Sequence, residues 1–527
     1  MKRVFLPLLV VYVAMPVFAQ RTATVNIHPS EGKYTINRNI YGQFAEHLGT
    51  CIYGGLWVGE DSTIPNTSGY RNDVLEALKE LHVPVLRWPG GCFADDYHWE
   101  DGIGPRDERP SKVNVIWGGV LEDNSFGTHE FLNLCEMLGC EPYVSMNIGS
   151  GTVREASEWI EYMTADNGPQ AKRRAANGRT EPWKVKYVGV GQESWGCGGN
   201  MTPEYYSNEY RRYATYLYDF SGNHLFKIAS GASDYDYYWT EALMKNVGSR
   251  ANGLSLHYYS IMNWGNKGKS TAFGDDMYYR CLGKSLDIDP VIQRHIDIMD
   301  RYDEKKTVGL MVDEWGTWWD DESTPPNVLF QQNTMRDAMV ASLTLNVFHK
   351  YVDRIQMANI AQVVNVLQSM ILTKDEKMVL TPTYYVFKMY VPHQDATYLP
   401  SDIQCDTMEV ENERYRPGRS EEEPTRTVPM LSATASRDAA GLIHVSLANV
   451  DLKQKQTVTL HLDDTKVCSV SGSILTSKDI ADHNTFEKTD MVKTEAFTDV
   501  KIDKKDSSTV SITLPSKSIV TLEIQTK

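Results

Sequence analysis

The chain has 527 residues, 41% hydrophobic and 23% charged, which excludes a disordered or fibrous protein and supplies enough apolar residues for a large core. A length of this size corresponds to about two to four domains, or to one large barrel with a smaller partner. Lys and Arg number 53 against 69 Asp and Glu, a net charge of −16, so a polyanion such as nucleic acid is repelled by the whole-molecule field.

At the N-terminus, Lys2 and Arg3 precede the apolar run Val4 to Phe18, with Val17 and Ala19 at the small-residue positions of a cleavage site. This reads as a signal peptide over residues 1–19 and predicts an exported protein, periplasmic or secreted. The run is broken by Pro7 and Pro16, and no later stretch approaches the roughly 18 uninterrupted apolar residues of a membrane span. No membrane association is expected after signal removal. Eight cysteines are too sparse for a disulfide framework, and their pairing is not legible. Cys135 and Cys140, the only close pair, read as structural rather than as metal ligands.

Residues 20–37 contain the alternating stretch Thr22 to Ile27, a strand able to join a sandwich. Between 38 and 392, short apolar runs alternate with helical patterns, the rhythm of parallel βαβ units. The strands are expected at Ile40–Glu46, Val83–Trp88, Pro142–Asn147, Val185–Glu193, Leu225–Gly231, Gly253–Tyr259, Thr307–Glu314 and Arg354–Gln362. The helices are expected at Asn72–Leu81, Thr128–Leu138, Val153–Met163, Pro203–Tyr218, Tyr238–Lys245, Pro290–Tyr302, Thr334–Lys350 and Tyr384–Val391. Eight such units close into a (β/α)8 TIM barrel. From 393 to 527 the pattern changes to period two, as in Thr457 to Leu462 and Val510 to Leu514, predicting a C-terminal antiparallel β-sandwich domain. Arg414–Arg426 reads as a surface loop. The fold class is therefore α/β, a barrel followed by a sandwich.

In such a barrel the active site lies at the C-terminal strand ends. Those ends offer Glu46, Arg87, Asn147, Glu193, Ser233, His257 with Tyr258 and Tyr259, Glu314 and Gln362. One histidine among carboxylates, amides and an arginine suits binding hydroxyls and moving protons, not holding a metal. Glu193 and Glu314, at the ends of the fourth and seventh strands, can face one another across the barrel mouth. Opposed carboxylates are the apparatus of glycoside hydrolysis, one kept protonated and one ionised. The abundant Trp and Tyr also suit stacking on sugar rings.

At these motifs the sequence resembles the α-L-arabinofuranosidases of glycoside hydrolase family 51. The resemblance rests on Ile40-Tyr-Gly-Gln-Phe-Ala-Glu-His-Leu-Gly49, Leu86-Arg-Trp-Pro-Gly-Gly-Cys-Phe-Ala-Asp95, Tyr97-His-Trp-Glu-Asp-Gly-Ile-Gly-Pro105 and Glu193-Ser-Trp-Gly-Cys-Gly-Gly-Asn200. Leu254-Ser-Leu-His-Tyr-Tyr259, Asp313-Glu-Trp315 and Ala358-Asn-Ile-Ala-Gln-Val-Val-Asn365 extend it over most of the chain. It implies a retaining, exo-acting enzyme that needs no cofactor and releases arabinofuranosyl residues from arabinan, arabinoxylan or their oligosaccharides. It further implies Glu193 as acid/base and Glu314 as nucleophile, with Glu46, Arg87, Cys92, Gln192, His257, Tyr259, Trp318 and Gln362 binding substrate or orienting the site, and Tyr258 able to trade with Tyr259. Homo-oligomerisation is implied by the resemblance alone. One departure stands out: Gln192 occupies the place where the family has Asn, whose amide bonds the sugar 2-hydroxyl, and Val188 stands where Trp is common. These two residues favour a second reading, the same fold acting on a β-linked xylan or glucan. A third reading, a weakly active or non-catalytic carbohydrate-binding relative, is opposed by the presence of both glutamates.

Overall fold

The structure, a computed structural model, describes residues 21–320, 323–414 and 423–527. The signal-peptide reading of 1–19 and residues 415–422 of the expected Arg414–Arg426 loop lie outside the described residues. Eight parallel strands close into a barrel: Gly42–Phe44, Val85–Trp88, Glu141–Met146, Tyr187–Val190, Phe226–Ser233, Gly253–Tyr259, Gly309–Gly316 and Ile355–Ala361. All eight expected strands are present, and where their ends differ the reasons are local. The first is shorter because Arg38–Tyr41 coils into a 3-10 turn capped by the Asn37 side chain, which accepts from the Asn39 N–H. The fourth stops at Val190 because Gly191 turns the chain out of the ladder at φ 78°.

Two helices were not anticipated. Pro169–Ala176 buries only Ala171 and Arg174, so it carries no apolar stripe to read. Asp275–Leu286 runs directly into Ile288–Tyr302, where Pro290 sits in the first turn and masks the continuity.

Strand alternation layers the barrel interior. Val85, Tyr143, Tyr187, Ile228, Met311 and Met357 form a separate apolar cluster. Two residues further along their strands lie Arg87, Ser145, Asp313 and Asn359, all buried. The polar end of the barrel thus stands on an apolar plug.

The sandwich consists of a five-stranded sheet, in the order Ser401–Gln404, Arg21–Ile27, Gln456–Leu462, Thr509–Leu514, Val500–Ile502, and a six-stranded sheet. The six strands are Thr397–Leu399, Leu431–Arg437, Ile443–Asn449, Ser518–Thr526, Val467–Thr476 and Thr494–Ala496. Alternate residues such as Val25, Ile27, Val458, Leu460, Val510 and Ile512 face inward and make a second core. One pairing departs from the antiparallel expectation: Arg21–Ile27 lies parallel to Gln456–Leu462.

Helix Met335–Lys350 joins the two parts. Every residue from Met335 to His349 is buried, as befits a helix covered on all sides. Asn346 donates to Ser432 Oγ at 2.9 Å, and His349 meets Tyr41 Oη at 2.8 Å and Thr434 Oγ1 at 2.9 Å. Burial pushes His349 down to about 3. The native chain therefore refuses a proton that the unfolded chain accepts near 6.5. Stability is full above that value and falls as pH drops toward 3, by on the order of 1.4 kcal/mol per pH unit. Thermal melting of the parent is expected to decline more steeply with acid than that of His349→Gln, and parallel declines would remove this histidine from the account.

Candidate active site

The polar strand ends converge on one lattice of charges. Glu314 Oε1 accepts from Arg87 Nη1 at 2.8 Å and its Oε2 accepts from Tyr259 Oη at 2.9 Å. His257 Nδ1 lies 2.8 Å from Glu193 Oε1 and 3.5 Å from Glu314 Oε2, while its Nε2 lies 3.2 Å from Asp313 Oδ1. The facing donor atoms of Glu193, His257 and Glu314 are all within 4.8 Å of one another. Tyr143 donates to Asp313 Oδ2 at 2.7 Å from below.

Adjacent residues of a strand should face opposite ways, yet Asp313 and Glu314 both enter this lattice. The register slips on both flanks, between Ser255 and His257 on one side and between Val312 and Trp315 on the other. Such an irregularity re-aims a side chain without ending the strand. At Glu193 the backbone itself is in the left-handed region, φ 36°, a conformation that costs a non-glycine residue on the order of 1–3 kcal/mol and is held by its surroundings. Gly90 and Gly91 allow the second-strand loop to approach: a Cβ on Gly91 would sit 2.9 Å from Glu314 Oε1, and one on Gly90 would sit 2.6 Å from Glu46 Cγ.

Above the lattice is a cavity of about 260 Å³. Glu46, Cys92, Glu193 and Glu314 line it, together with Tyr259, Trp318 and Gln362, as the sequence suggested. Glu46 Oε1 accepts from the N–H groups of Gly91 and Phe93 and from Trp117 Nε1, each at 3.0 Å, and its Oε2 accepts from Gln362 at 3.0 Å. Three larger surface hollows, about 300, 460 and 760 Å³, lie elsewhere, and none is lined by the paired glutamates.

Burial raises Glu193 above the usual carboxylate range, and the nearby Glu314 adds to the rise while His257 and Arg87 oppose it. Burial alone would depress His257, but Glu314, Asp313 and Glu193 outweigh it and push the ring up to about 10. It is an imidazolium at neutral pH, with both ring nitrogens donating. Asp313 is held below its ordinary value because Arg87, His257 and Tyr143 outweigh its burial. Burial and the charge of Glu314 take Glu46 up to about 7.

The placements of His257 and Gln192 correct the sequence reading, while Arg87 reaches Glu314, as the resemblance implies. His257, expected against the sugar, lies beneath the carboxylates and is 2% exposed. Arg87 and Gln192 are buried behind the cavity wall, with Gln192 Nε2 3.3 Å from Cys197 Sγ and its Oε1 3.5 Å from Arg87 Nη2. Tyr258 turns away and donates to the Lys284 carbonyl at 2.6 Å, leaving the site to Tyr259. Cys92 is not a thiol but is disulfide-bonded to Cys197.

Asp313, Trp117, Trp195, Trp264 and Cys197 were not singled out. Asp313 and Cys197 stand inside motifs already quoted, beside Glu314 and just after Glu193, so chain proximity was the available signal. Trp264 is 59% exposed and meets Trp318 edge-on at 5.4 Å, and Trp318 meets Tyr259 the same way at 5.3 Å, forming an aromatic rim.

Known proteins share this architecture. Family models described as alpha-L-arabinofuranosidase 1 domain and alpha-L-arabinofuranosidase C-terminal domain match residues 77–273 and 313–518. An intracellular exo-alpha-L-arabinofuranosidase of Bacteroides ovatus is 61% identical over 510 residues, 96% of each chain. The crystal structure of the GH51 arabinofuranosidase from Xanthomonas axonopodis pv. citri superposes with a TM-score of 0.91 at 45% identity, covering 96% of this chain and 100% of that one. The arabinose complex of alpha-L-arabinofuranosidase from Thermotoga maritima gives 0.82 at 29% identity, over 95% and 99%. The expectation of export is overturned here, because the Bacteroides ovatus relative, collinear over nearly the whole chain, is named an intracellular enzyme.

Proposed function

The chain belongs to the α-L-arabinofuranosidases of glycoside hydrolase family 51 and is an exo-acting glycosidase of arabinose-containing glycans, and from that premise we propose that Glu193 and Glu314 carry its chemistry by double displacement. Glu314 attacks the anomeric carbon while Glu193 gives its proton to the departing glycosidic oxygen. Water then enters from the vacated side, Glu193 takes its proton, and the arabinosyl ester on Glu314 is cleaved with net retention. Natural substrates on this reading are the arabinofuranosyl side groups of arabinan, arabinoxylan and their oligosaccharides.

The observation that carries the assignment is the bridged carboxylate pair. Facing oxygens of Glu193 and Glu314 within 4.8 Å suit the short carboxyl spacing of retaining enzymes, about 5–5.5 Å, better than the about 6.5–9.5 Å of inverting ones. Charge balance supports the same roles: with Glu193 protonated, the cations Arg87 and His257 match the carboxylates Asp313 and Glu314. A cavity of about 260 Å³ falls just below the roughly 300–1,000 Å³ of ordinary ligand pockets, a fit for one terminal sugar rather than a polymer segment.

The test is turnover of nitrophenyl α-L-arabinofuranoside and of arabinan and arabinoxylan oligosaccharides. The parent is expected to release arabinose first formed with retained configuration. The rate should fall as pH rises through the elevated Glu193 value, and Glu193→Ala should remove that alkaline limb. Inverted product, or an unchanged limb in the variant, would reject the assignment. Gln192→Asn, run alongside, reads whether the amide behind the cavity wall affects the rate.

A further inference from the structure

Two cysteine sulfurs border the Glu193 carboxylate. Cys197 Sγ lies 3.4 Å and Cys92 Sγ 3.9 Å from Glu193 Oε2, and the three donor atoms all fall within 4.8 Å of one another. The disulfide between these cysteines ties the loop after the second barrel strand to the loop after the fourth. Cys197 is exposed, Cys92 and Glu193 are partly so, and Gln192 Nε2 points at Cys197 Sγ from 3.3 Å. A reductant can therefore reach the sulfur that stands nearest the acid/base candidate.

We propose that, once reduced, Cys92, Cys197 and Glu193 form a binding site for a thiophilic divalent cation such as Zn²⁺, and that occupancy stops turnover. The proposal rests on Glu193 being the acid/base. Reduction by a dithiol is balanced: its thiolate attacks Cys197 Sγ, Cys92 leaves as thiolate and takes a proton, and the second thiol closes the cyclic disulfide, releasing Cys197 as a thiol. Two electrons and two protons pass to the cysteines. Zn²⁺ then displaces a proton from each thiol and from Glu193, three to solvent in all, and takes two thiolates, one Glu193 oxygen and a water, the tetrahedral set this ion prefers. A carboxylate bound to the metal holds no proton for the leaving group. The oxidised pair offers no thiolate, so the disulfide protects the site from such inhibition.

The experiment uses the full chain in two forms, oxidised or reduced with dithiothreitol and desalted without air, each titrated with Cd²⁺ and with Zn²⁺. The reduced form is expected to show a cadmium–thiolate absorption band saturating at one equivalent. Turnover should fall by about a hundredfold or more, the contribution of a general acid, and return with EDTA. The oxidised form and reduced Cys197→Ser should show neither the band nor that sensitivity. Equal inhibition of oxidised and reduced enzyme, absence of the band, or a band without loss of turnover would each overturn the proposal. Failure of the Glu193 assignment is distinguishable, since it appears in the metal-free pH profile of Glu193→Ala while the band reports the sulfur site.

Discussion

Glu314→Ala is expected to lower turnover of nitrophenyl α-L-arabinofuranoside by about four to six orders of magnitude while leaving a folded chain of lower melting temperature. Removing a nucleophile eliminates the covalent path outright, and such losses reach about a millionfold in enzymes whose groups act as a unit. The substitution also deletes the acceptor of two hydrogen bonds, from Arg87 at 2.8 Å and Tyr259 at 2.9 Å. Those donors remain able to bind water in the emptied cavity, so folding should survive. Single-turnover measurements sharpen the test: the parent should accumulate or pass through a glycosyl-enzyme, and the variant should form none. Residual activity within a hundredfold of the parent would remove Glu314 from the nucleophile's place.

Arg87→Met should damage both stability and rate, by separable routes. Arg87 is fully buried, donates to Glu314 and to the Asp313 carbonyl, and lies over the Phe44 ring at 4.4 Å. Methionine can fill much of the volume but leaves Asp313 and Glu314 facing His257 as their one remaining close cation. Breaking a buried pair from one side costs about 3–5 kcal/mol, because the desolvated partner is left uncompensated. Denaturation and kcat are expected to fall together in the single variant. Adding Asp313→Asn removes one orphaned charge and should recover a part of the stability while leaving kcat low. If the double variant is no more stable than the single one, the charge lattice is not what Arg87 supports. Arg87→Lys keeps the charge but loses the fork that reaches two acceptors at once, so an intermediate result is expected there.

The barrel was legible because its periodicity is strong: Gly253–Tyr259 was found at both ends, and the other strands differ only at their termini. Those termini are decided by features that a hydrophobic pattern does not carry, such as the turn at Arg38–Tyr41 and the exit at Gly191. The two glutamates were legible for the same reason, since a polar residue closing an apolar strand is conspicuous. His257 was placed correctly in space but given the wrong neighbours, because strand order says which end a residue occupies and not how deep it sits. Asp313 is not legible from alternation, which turns consecutive residues to opposite faces, and the register slip is what brings it beside Glu314. Cys197 could not be paired with Cys92 from spacing, because the two stand 105 positions apart and return to contact only through the barrel.

The parallel pairing of Arg21–Ile27 with Gln456–Leu462 sets an order of events during synthesis. The strand Arg21–Ile27 has its partners, Ser401–Gln404 on one edge and Gln456–Leu462 on the other, on the far side of the barrel in sequence. Until they emerge, a β-competent segment with Val25 and Ile27 on one face waits unpaired. Long-range pairing of this kind is slow and leaves an unpaired edge exposed meanwhile. The sandwich thus acts as a late clasp across the barrel, and a nascent chain stalled short of residue 456 would leave Arg21–Ile27 without that partner.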